Sequence, residues 1–224
     1  SRHHPDYPFL LKNIASPPVG IYIYGSILQE HQKKFPFISI VGTRCCTEYG
    51  MIQTRKLVRF LGPFSFVVVS GFARGIDLTA HQEALENNLS TIAILAYGFG
   101  HFPQHRLRFV NKILQSGGGF ITEYPPFTPC VKFHFRERNR IIAGLSPATV
   151  IIEAPKSSGA LITASQAFSA DRDVFAVPGD LGRKQCEGSN DLIFGQKATL
   201  LMEPDNILHS YGLQREGMQP ELFL

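Results

Sequence analysis

The residues with the clearest chemistry lie in four short turns that contain glycine. Each turn follows an apolar run and combines small residues with a hydroxyl group or a nearby cation; the turns are residues 39–44, 69–75, 96–100 and 156–160. Backbone amides bind anions where a helix begins directly after such a turn. Arg44 and Arg74 add guanidinium groups, which bind phosphate through paired hydrogen bonds. One glycine turn is a weak indication, since glycine ends many strands for steric reasons, but the four together predict an anion-binding rim.

A second feature is the run at residues 132–140 (KFHFRERNR), which contains four cations, one acid and two phenylalanines. Cations interleaved with rings suit single-stranded nucleic acid, because cations follow the phosphates while rings stack on bases. The alternative is a solvated helix start whose arginines pair with nearby acids, with Phe133 or Phe135 in the core. The pattern alone favours neither interpretation. The net charge of +4 permits a polyanionic partner without requiring one.

The sequence contains no clear catalytic, nucleotide-binding or metal-binding motif. It has no G-x-x-x-x-G-K-[ST] segment and no G-x-G-x-x-G after a strand. Ser70 lacks the preceding glycine of a G-x-S-x-G nucleophile turn. His101 and His105 have no adjacent carboxylate, so we predict neither a metal site nor catalytic residues.

Three acidic residues, Asp77, Glu123 and Glu153, lie near predicted strand ends. They could act on a small ligand, or they could cap helices and hold arginines in place. Because no nucleophile and base are paired in the sequence, we favour the structural role for all three.

Composition indicates a folded domain with a sizeable core, since 44% of the 224 residues are hydrophobic and 18% are charged. The apolar runs are too short to cross a membrane, and the first residues (SRHHP) lack the apolar segment of a signal peptide. Four cysteines without C-x-x-C spacing indicate reduced thiols rather than disulfides or zinc. We therefore expect a cytoplasmic protein without membrane association.

The elements that position these residues follow a strand–helix rhythm. Eight apolar runs predict buried strands at residues 21–24, 37–41, 66–70, 92–96, 119–123, 150–153, 174–177 and 199–202. Helices are predicted at 47–61, at 77–87 with Asp77 as N-cap, at 103–114 opened by Pro103, and at 160–170. This alternation predicts an α/β fold with a doubly wound, mostly parallel sheet flanked by helices. We divide the chain into an N-terminal extension (1–20), one domain (21–208) and a C-terminal tail (209–224).

Five segments resemble the DprA/Smf family of DNA-processing proteins. Residues 70–77 (SGFARGID) are similar to its S-G-x-A-R-G-I-D signature, and residues 135–146 (FRERNRIIAGLS) to its F-P-x-R-N-R-I-I-x-G-L-S segment. The other three are VGTR at 41–44 with YG at 49–50, SGALITA at 158–164, and VPG at 177–179 followed by GSN at 188–190. The segments occur in the family's order, and the resemblance as a whole spans about residues 8–206.

The resemblance implies an extended Rossmann-like domain with no known cofactor. It implies that the protein binds and protects single-stranded DNA during natural transformation, helps to load the recombinase RecA and works as a dimer. It implies a binding protein rather than an enzyme. It also implies a DNA site at the strand ends. The site residues carried over are Gly42, Arg44, Ser70, Gly71, Arg74, Lys132, Phe135, Arg138, Asn139, Arg140, Ser158 and Gly159. Among them, we expect Arg44, Arg74, Lys132, Arg138 and Arg140 to contact phosphates, and Phe135 to contact a base.

Two positions depart from the family pattern: Arg136 replaces the usual proline, which adds a cation, and Phe72 replaces the usual leucine. Some members carry a helical N-terminal domain and a C-terminal winged-helix domain, and we expect neither within these 224 residues. One alternative is a nucleotide-processing hydrolase of a related Rossmann-like fold, although its P-G-G-x-G-T-x-x-E motif is missing. Another is an interaction scaffold for recombination proteins.

Overall fold

The computed structural model describes residues 1–26 and 36–214, and one eight-stranded sheet runs through this part of the chain. Each strand lies at one of the predicted runs. The strands are β1 Tyr22–Gly25, β2 Phe37–Val41, β3 Val67–Ser70, β4 Thr91–Ile94, β5 Gly119–Thr122, β6 Ala148–Ile151, β7 Asp173–Ala176 and β8 Thr199–Leu200. Neighbouring strands are parallel except β1, which pairs antiparallel with β5. The predicted mostly parallel α/β sheet is confirmed.

The strand order contains one reversal, which decides where a ligand can bind. The order is β1-β5-β4-β3-β2-β6-β7-β8. From β2 the chain builds outward to β5 on one side, then returns to place β6 on the other side, with Val41 opposite Ile151 at the carboxyl ends. In open α/β sheets, ligands bind beyond the carboxyl ends of the strands at such a reversal.

Helices connect the strands and cover both faces of the sheet. They are α1 Phe9–Lys12, α2 Glu48–Leu61, α3 Ile76–Glu86, α4 Leu107–Gln115, α5 Lys132–Leu145, α6 Gly159–Ser169, α7 Glu187–Phe194 and α8 Asp205–Leu208. Two predicted starts are wrong. Gly75 caps α3, so Asp77 lies in its first turn instead. Pro103 has extended backbone and precedes a 3₁₀ turn at Gln104–Arg106, so it does not open α4.

The core lies on both faces of the sheet, which explains the continuous apolar runs. In β3, Val67 and Val69 join the cluster on one face while Val68 joins the cluster on the other, because successive side chains alternate across a strand. The N-terminal extension contributes to the first cluster: Leu11 in α1 is fully buried there, and Ile14 is nearly so.

The end of the described chain also packs onto the sheet. Tyr211 lies edge-on to Phe66, with ring centroids 4.8 Å apart, and its hydroxyl donates to the Phe37 carbonyl at 2.6 Å. Residues 215–224 of the predicted tail lie outside the described residues. Within the described helices, none has both the length and the apolar character needed to span a bilayer.

Candidate nucleic-acid interface

An open cavity of about 900 Å³ lies at the carboxyl ends of β2 and β6, where the strand order reverses. One wall is the loop after β2, which contains Thr43 and Arg44. The opposite wall is one face of α5, and the remaining sides are the loop after β6 with the start of α6 and the turn before α3. The sheet topology therefore places three of the four glycine turns, those at 39–44, 69–75 and 156–160, around one space.

The structure brings eight of the twelve predicted site residues to this cavity. They are Gly42, Arg44, Lys132, Phe135, Arg138, Asn139, Ser158 and Gly159. The other four, which do not line it, are Ser70, Gly71, Arg74 and Arg140. Among the lining residues that the site prediction omitted are Thr43, Ala73, Asp77, Arg136 and Ser157.

The α5 wall is basic and exposed. Lys132 and Arg136 lie one helical turn apart, so their side chains share the face that lines the cavity. Both are exposed, and neither forms an ion pair with a carboxylate in residues 1–26 or 36–214. The i, i+4 spacing to Lys132 was the signal in the sequence that could have added Arg136 to the predicted site.

Phe135 provides an aromatic surface between two guanidinium groups. The Arg44 guanidinium carbon lies 4.9 Å from the ring centroid, and that of Arg138 lies 5.9 Å from it. Arg44 comes from the opposite wall, so this cation–π contact joins the loop after β2 to α5. Rings and guanidinium planes are both surfaces on which unpaired bases stack.

The structure divides the 132–140 run between the two interpretations. Lys132, Arg136 and Phe135 line the cavity, as the nucleic-acid interpretation expects. Arg140 pairs with Glu123, and Phe135 also packs against a core cluster, as the alternative expects.

The first turn of α6 lines the cavity. Ser158 is the N-cap, and its hydroxyl oxygen accepts from the Ala160 amide at 3.2 Å. Gly159 follows, and a β-carbon there would meet no atom within 4 Å, so the cavity is open directly over this first turn. The Asn139 side chain donates to the Gly159 carbonyl at 3.1 Å, which fixes α6 against α5. Such a helix start attracts anions through its free N–H groups and its partial positive charge.

Arg138 forms the buried floor between the cavity and the loop after β3. Its side chain is only 3% exposed and donates to the carbonyls of Gly71 and Ile94. Burial lowers the pKa of Arg138 to about 10, and the nearby Asp77 carboxylate acts against that shift. Burial also raises the pKa of Asp77, against the opposing effect of Arg138. A β-carbon on Gly71 would lie 2.7 Å from the Asp77 carboxylate and 2.9 Å from the Arg138 guanidinium, so a larger residue at this motif position would displace this buried pair.

Two further predicted residues have clear partners in the protein itself. The buried Ser70 hydroxyl donates to the Ile40 carbonyl at 2.6 Å and so joins β3 to β2. Arg140 donates to both oxygens of Glu123 at 2.6 Å and to the Ser16 carbonyl at 2.8 Å. That hydrogen bond to Glu123 raises the pKa of Arg140. Arg140 thus joins α5 to the end of β5, away from the cavity, and the predicted structural role of Glu123 is confirmed.

Glu153 also has a structural role. Its carboxylate is fully buried and accepts from the Thr47 amide at 2.8 Å and from the Thr47 hydroxyl at 2.5 Å. Its backbone carbonyl accepts from the Thr43 amide at 2.7 Å. Glu153 therefore ties the loop after β6 to the loop after β2 and to the start of α2, which holds two walls of the cavity together.

Comparison with known proteins places the chain among DNA-processing proteins. A family model described as DNA recombination-mediator protein A matches residues 1–212. Protein Smf of Synechocystis is 41% identical over 211 residues, which is 93% of this chain and 52% of the relative. DNA processing protein DprA of Streptococcus pneumoniae is 36% identical over 187 residues, 84% of this chain and 65% of the relative. The chain thus spans between about half and two thirds of the length of these relatives.

Solved structures agree with the sequence comparison. DNA processing protein A from Streptococcus pneumoniae superposes with a TM-score of 0.82 at 35% identity, covering 92% of this chain and 71% of that chain. The protein from Helicobacter pylori, solved for its single-stranded DNA binding mode, has a TM-score of 0.80 at 26% identity and covers 92% of each chain. A molybdenum cofactor binding protein from Rippkaea orientalis, at 17% identity and a TM-score of 0.55, shares the fold only.

Proposed function

Because this chain belongs to the DNA recombination-mediator protein A family, we propose that it binds single-stranded DNA in the cavity beside β2 and β6. In this proposal the protein acts in the cytoplasm by binding and protecting the strand, without catalysing a reaction on it. The Helicobacter pylori relative, whose structure was solved for its single-stranded DNA binding mode, supports this choice of ligand.

The observation that carries the proposal is the charge of the cavity. Arg44, Lys132 and Arg136 line it without a carboxylate ion-pair partner in the described parts of the chain, 1–26 and 36–214. Among the described residues, the one acidic side chain on its lining is Asp77, which is buried beside Arg138. A surface with this excess of positive charge attracts phosphates. Each phosphate that it neutralises releases counterions from the strand.

Each wall has a separate task in this mechanism. The cations follow the sugar-phosphate backbone, and the amides at the start of α6 bind a phosphate that lies over Gly159. Phe135 stacks on a base, which requires no particular base because every base has a π-face. The mechanism therefore favours strands with unpaired bases over duplexes and tolerates any sequence.

We predict that charge and stacking give different signatures in a fluorescence-anisotropy titration with a labelled oligothymidylate over a salt series. Lys132→Gln removes a phosphate contact, so the log–log salt slope becomes shallower by about 0.7. Phe135→Leu removes the stacking ring but no charge, so affinity falls by a factor of about 5–150 with an unchanged slope, which corresponds to about 1–3 kcal/mol per stacked base.

The matched control for this experiment is Lys56→Gln. Lys56 is an exposed lysine in α2 outside the cavity, so its loss changes the net charge equally. Thermal unfolding of each variant establishes that the fold is retained. If Lys132→Gln and Phe135→Leu bind with the slope and affinity of the wild type, the cavity is not the DNA site.

The alternative function, that of a nucleotide-processing hydrolase, can be tested with the same protein preparation. A small phosphorylated ligand would also be attracted by the start of α6 and the cations of the cavity. Release of a free nucleobase from nucleoside monophosphates, with no binding of oligonucleotides, would replace the DNA proposal with this one.

We also propose that the protein works as a homodimer and helps to load the recombinase RecA. The family description as a recombination mediator supports the second part. For the dimer, the support is the edge of the sheet: both residues of β8 are exposed, and Phe194 and Met202 on either side of it along the chain are 93% and 74% exposed. Phe194 ends α7 and Met202 follows β8, and exposed large apolar side chains such as these are suited to contact with a second copy.

We predict that Phe194→Ser converts a dimer into a monomer, because it removes an exposed ring without touching the core. Size-exclusion chromatography with light scattering measures the mass directly. Phe127→Ser is the matched control, since that ring is 85% exposed on the loop after β5. A wild-type protein that is monomeric at all concentrations, or a variant that stays dimeric, would contradict this interface.

A further inference from the structure

The glycine turn at residues 96–100 is predicted from the sequence as part of the anion-binding rim, but it does not line the cavity. Its backbone holds the loop after β5 instead. The Gly98 amide donates to the Thr128 carbonyl at 3.0 Å, and the Gly100 amide donates to the Pro126 carbonyl at 2.8 Å. The amides that the sequence suggests for an anion are therefore bound to this loop.

Two further features show that the loop fits closely against this turn. His101 follows the turn and places Nε2 3.0 Å from the Phe127 carbonyl oxygen. Because a carbonyl oxygen only accepts, Nε2 carries the proton and donates it. A β-carbon on Gly98 would collide with the backbone carbonyl oxygens of Pro125 and Pro126, so a larger residue there would push the loop away. The turn and the histidine thus fix the middle of the loop after β5.

The same loop contacts α5 on the side of the helix that is turned away from the cavity. The Tyr124 ring stacks on His134, with ring centroids 4.0 Å apart, and the Tyr124 hydroxyl donates to the Glu137 carboxylate at 3.1 Å. His134 and Glu137 do not line the cavity, whereas Lys132 and Phe135, on the other side of the helix, do. Tyr124 therefore supports α5 from behind the residues that face the cavity.

The start of α5 needs such support, because it has little stabilisation of its own. Its N-cap is Val131, which provides no side-chain hydrogen bond, and its first turn contains no acidic residue. Lys132 instead places a positive charge at the positive end of the helix dipole, which is unfavourable. The residues proposed to bind DNA therefore lie at a helix end that would fray without contacts from elsewhere in the protein.

We propose that the loop after β5, held by the 96–100 turn, positions the start of α5 for DNA binding, with Tyr124 and His101 as positioning residues. The inference rests on the proposed function, because it assumes that Lys132 and Phe135 bind the strand. Tyr124 and His101 do not line the cavity, and they act through the helix rather than on the DNA. They raise the fraction of molecules in which the start of α5 is already ordered, and the apparent affinity is proportional to that fraction.

The test compares two pairs of variants in the anisotropy titration with oligothymidylate. Tyr124→Leu removes the stacked ring and the hydroxyl, and its matched control is Tyr22→Leu, which alters an exposed tyrosine of β1 that does not line the cavity. His101→Leu removes the hydrogen bond to the Phe127 carbonyl, and His101→Gln restores an N–H donor. Because His101 is exposed, its pair decides the result if Tyr124→Leu does not fold.

We expect Tyr124→Leu and His101→Leu to bind about two- to tenfold more weakly, the range that the loss of one aromatic pair or one hydrogen bond gives. Their salt slope stays that of the wild type, because no lysine or arginine is removed. Tyr22→Leu and His101→Gln bind like the wild type. The Arg136 and Glu137 amides, which bond to the first turn of α5, exchange hydrogen faster by a similar factor in the weakened variants.

The outcomes separate this inference from the proposed function. Wild-type protein that does not bind oligothymidylate contradicts the proposed function and the positioning role with it. Tyr124→Leu and His101→Leu proteins that bind like their controls, while Lys132→Gln binds more weakly, contradict only the positioning role. Weaker binding with unchanged amide exchange also contradicts it, because the two side chains would then contact the strand directly.

Discussion

Replacing Arg138 with methionine is expected to lower the free energy of unfolding by about 3–5 kcal/mol, the cost of breaking a buried charged network from one side. Methionine fills a similar volume but donates no hydrogen bond, so the Gly71 and Ile94 carbonyls lose their donor. The buried Asp77 carboxylate also loses the charge of Arg138, which is the largest effect that opposes the rise of the Asp77 pKa on burial. Urea denaturation at neutral pH measures the loss.

The double variant Arg138→Met/Asp77→Asn tests the reason for that loss. If the unpaired carboxylate contributes to the cost, the double variant loses less stability than the sum of the two single variants, and the difference is their coupling energy. Losses that add simply would mean that the two charges act independently. A fully stable Arg138→Met protein would contradict the positioning role and return Arg138 to the group of phosphate ligands.

The second large effect is a loss of stability in mild acid caused by His81. This side chain is fully buried in α3, and its Nδ1 lies 2.6 Å from the Thr91 hydroxyl oxygen. Because that hydroxyl already donates to the Val68 carbonyl, Nδ1 carries the proton and Nε2 is bare. Nε2 is buried and has no hydrogen-bond partner in the described chain, so a proton added there would be unsatisfied.

Burial lowers the pKa of His81 from its ordinary value of 6.5 to about 3, and the charges of Arg138 and Arg106 act in the same direction. Between these two values the unfolded chain binds a proton that the folded His81 does not. The stability contributed by neutral His81 is therefore complete above pH 6.5 and is lost as the pH falls. At about 1.36 kcal/mol per unit, the share of His81 between pH 7 and pH 5 is about 2 kcal/mol.

His81→Asn isolates this contribution, because asparagine keeps an N–H donor near the position of Nδ1 but does not titrate in this range. The measured quantity is the difference in unfolding free energy between pH 7 and pH 5, so a constant loss from the smaller side chain cancels. We expect this difference to be about 2 kcal/mol smaller in the variant than in the wild type. Equal pH dependence in both proteins would show that the pKa of His81 is the same in the folded and unfolded chains, and would contradict this prediction.

The sequence predicted the layered fold well, because each buried strand is recognisable from its own residues. A strand buried on both faces must be apolar at every position, as in β3, and this leaves a continuous run that needs no knowledge of its neighbours. The starts of α3 and α4 were less predictable. Whether Asp77 caps a helix or lies inside it depends on the Gly75 turn and on the distant Arg138.

The sequence predicted that the candidate site is basic and aromatic. It did not predict which arginines line the cavity and which bind other groups of the protein. Arg136, Arg138 and Arg140 are each two residues apart in one helix, so at about 100° per residue their side chains point in different directions. Arg136 lines the cavity, Arg138 is buried against the Gly71 carbonyl, and Arg140 binds Glu123. In the sequence the three form a single basic run.

Local sequence patterns therefore predict the strands, most of the helices and a basic, aromatic segment beside glycine turns. The strand order that puts β2 beside β6, and the pairing of each arginine, follow only from the folded chain. Strand order depends on contacts between residues far apart in the chain, such as those of Glu153 with Thr47. The role of an arginine depends in the same way on whether the fold brings a carboxylate or a carbonyl to it, or leaves it open to a phosphate.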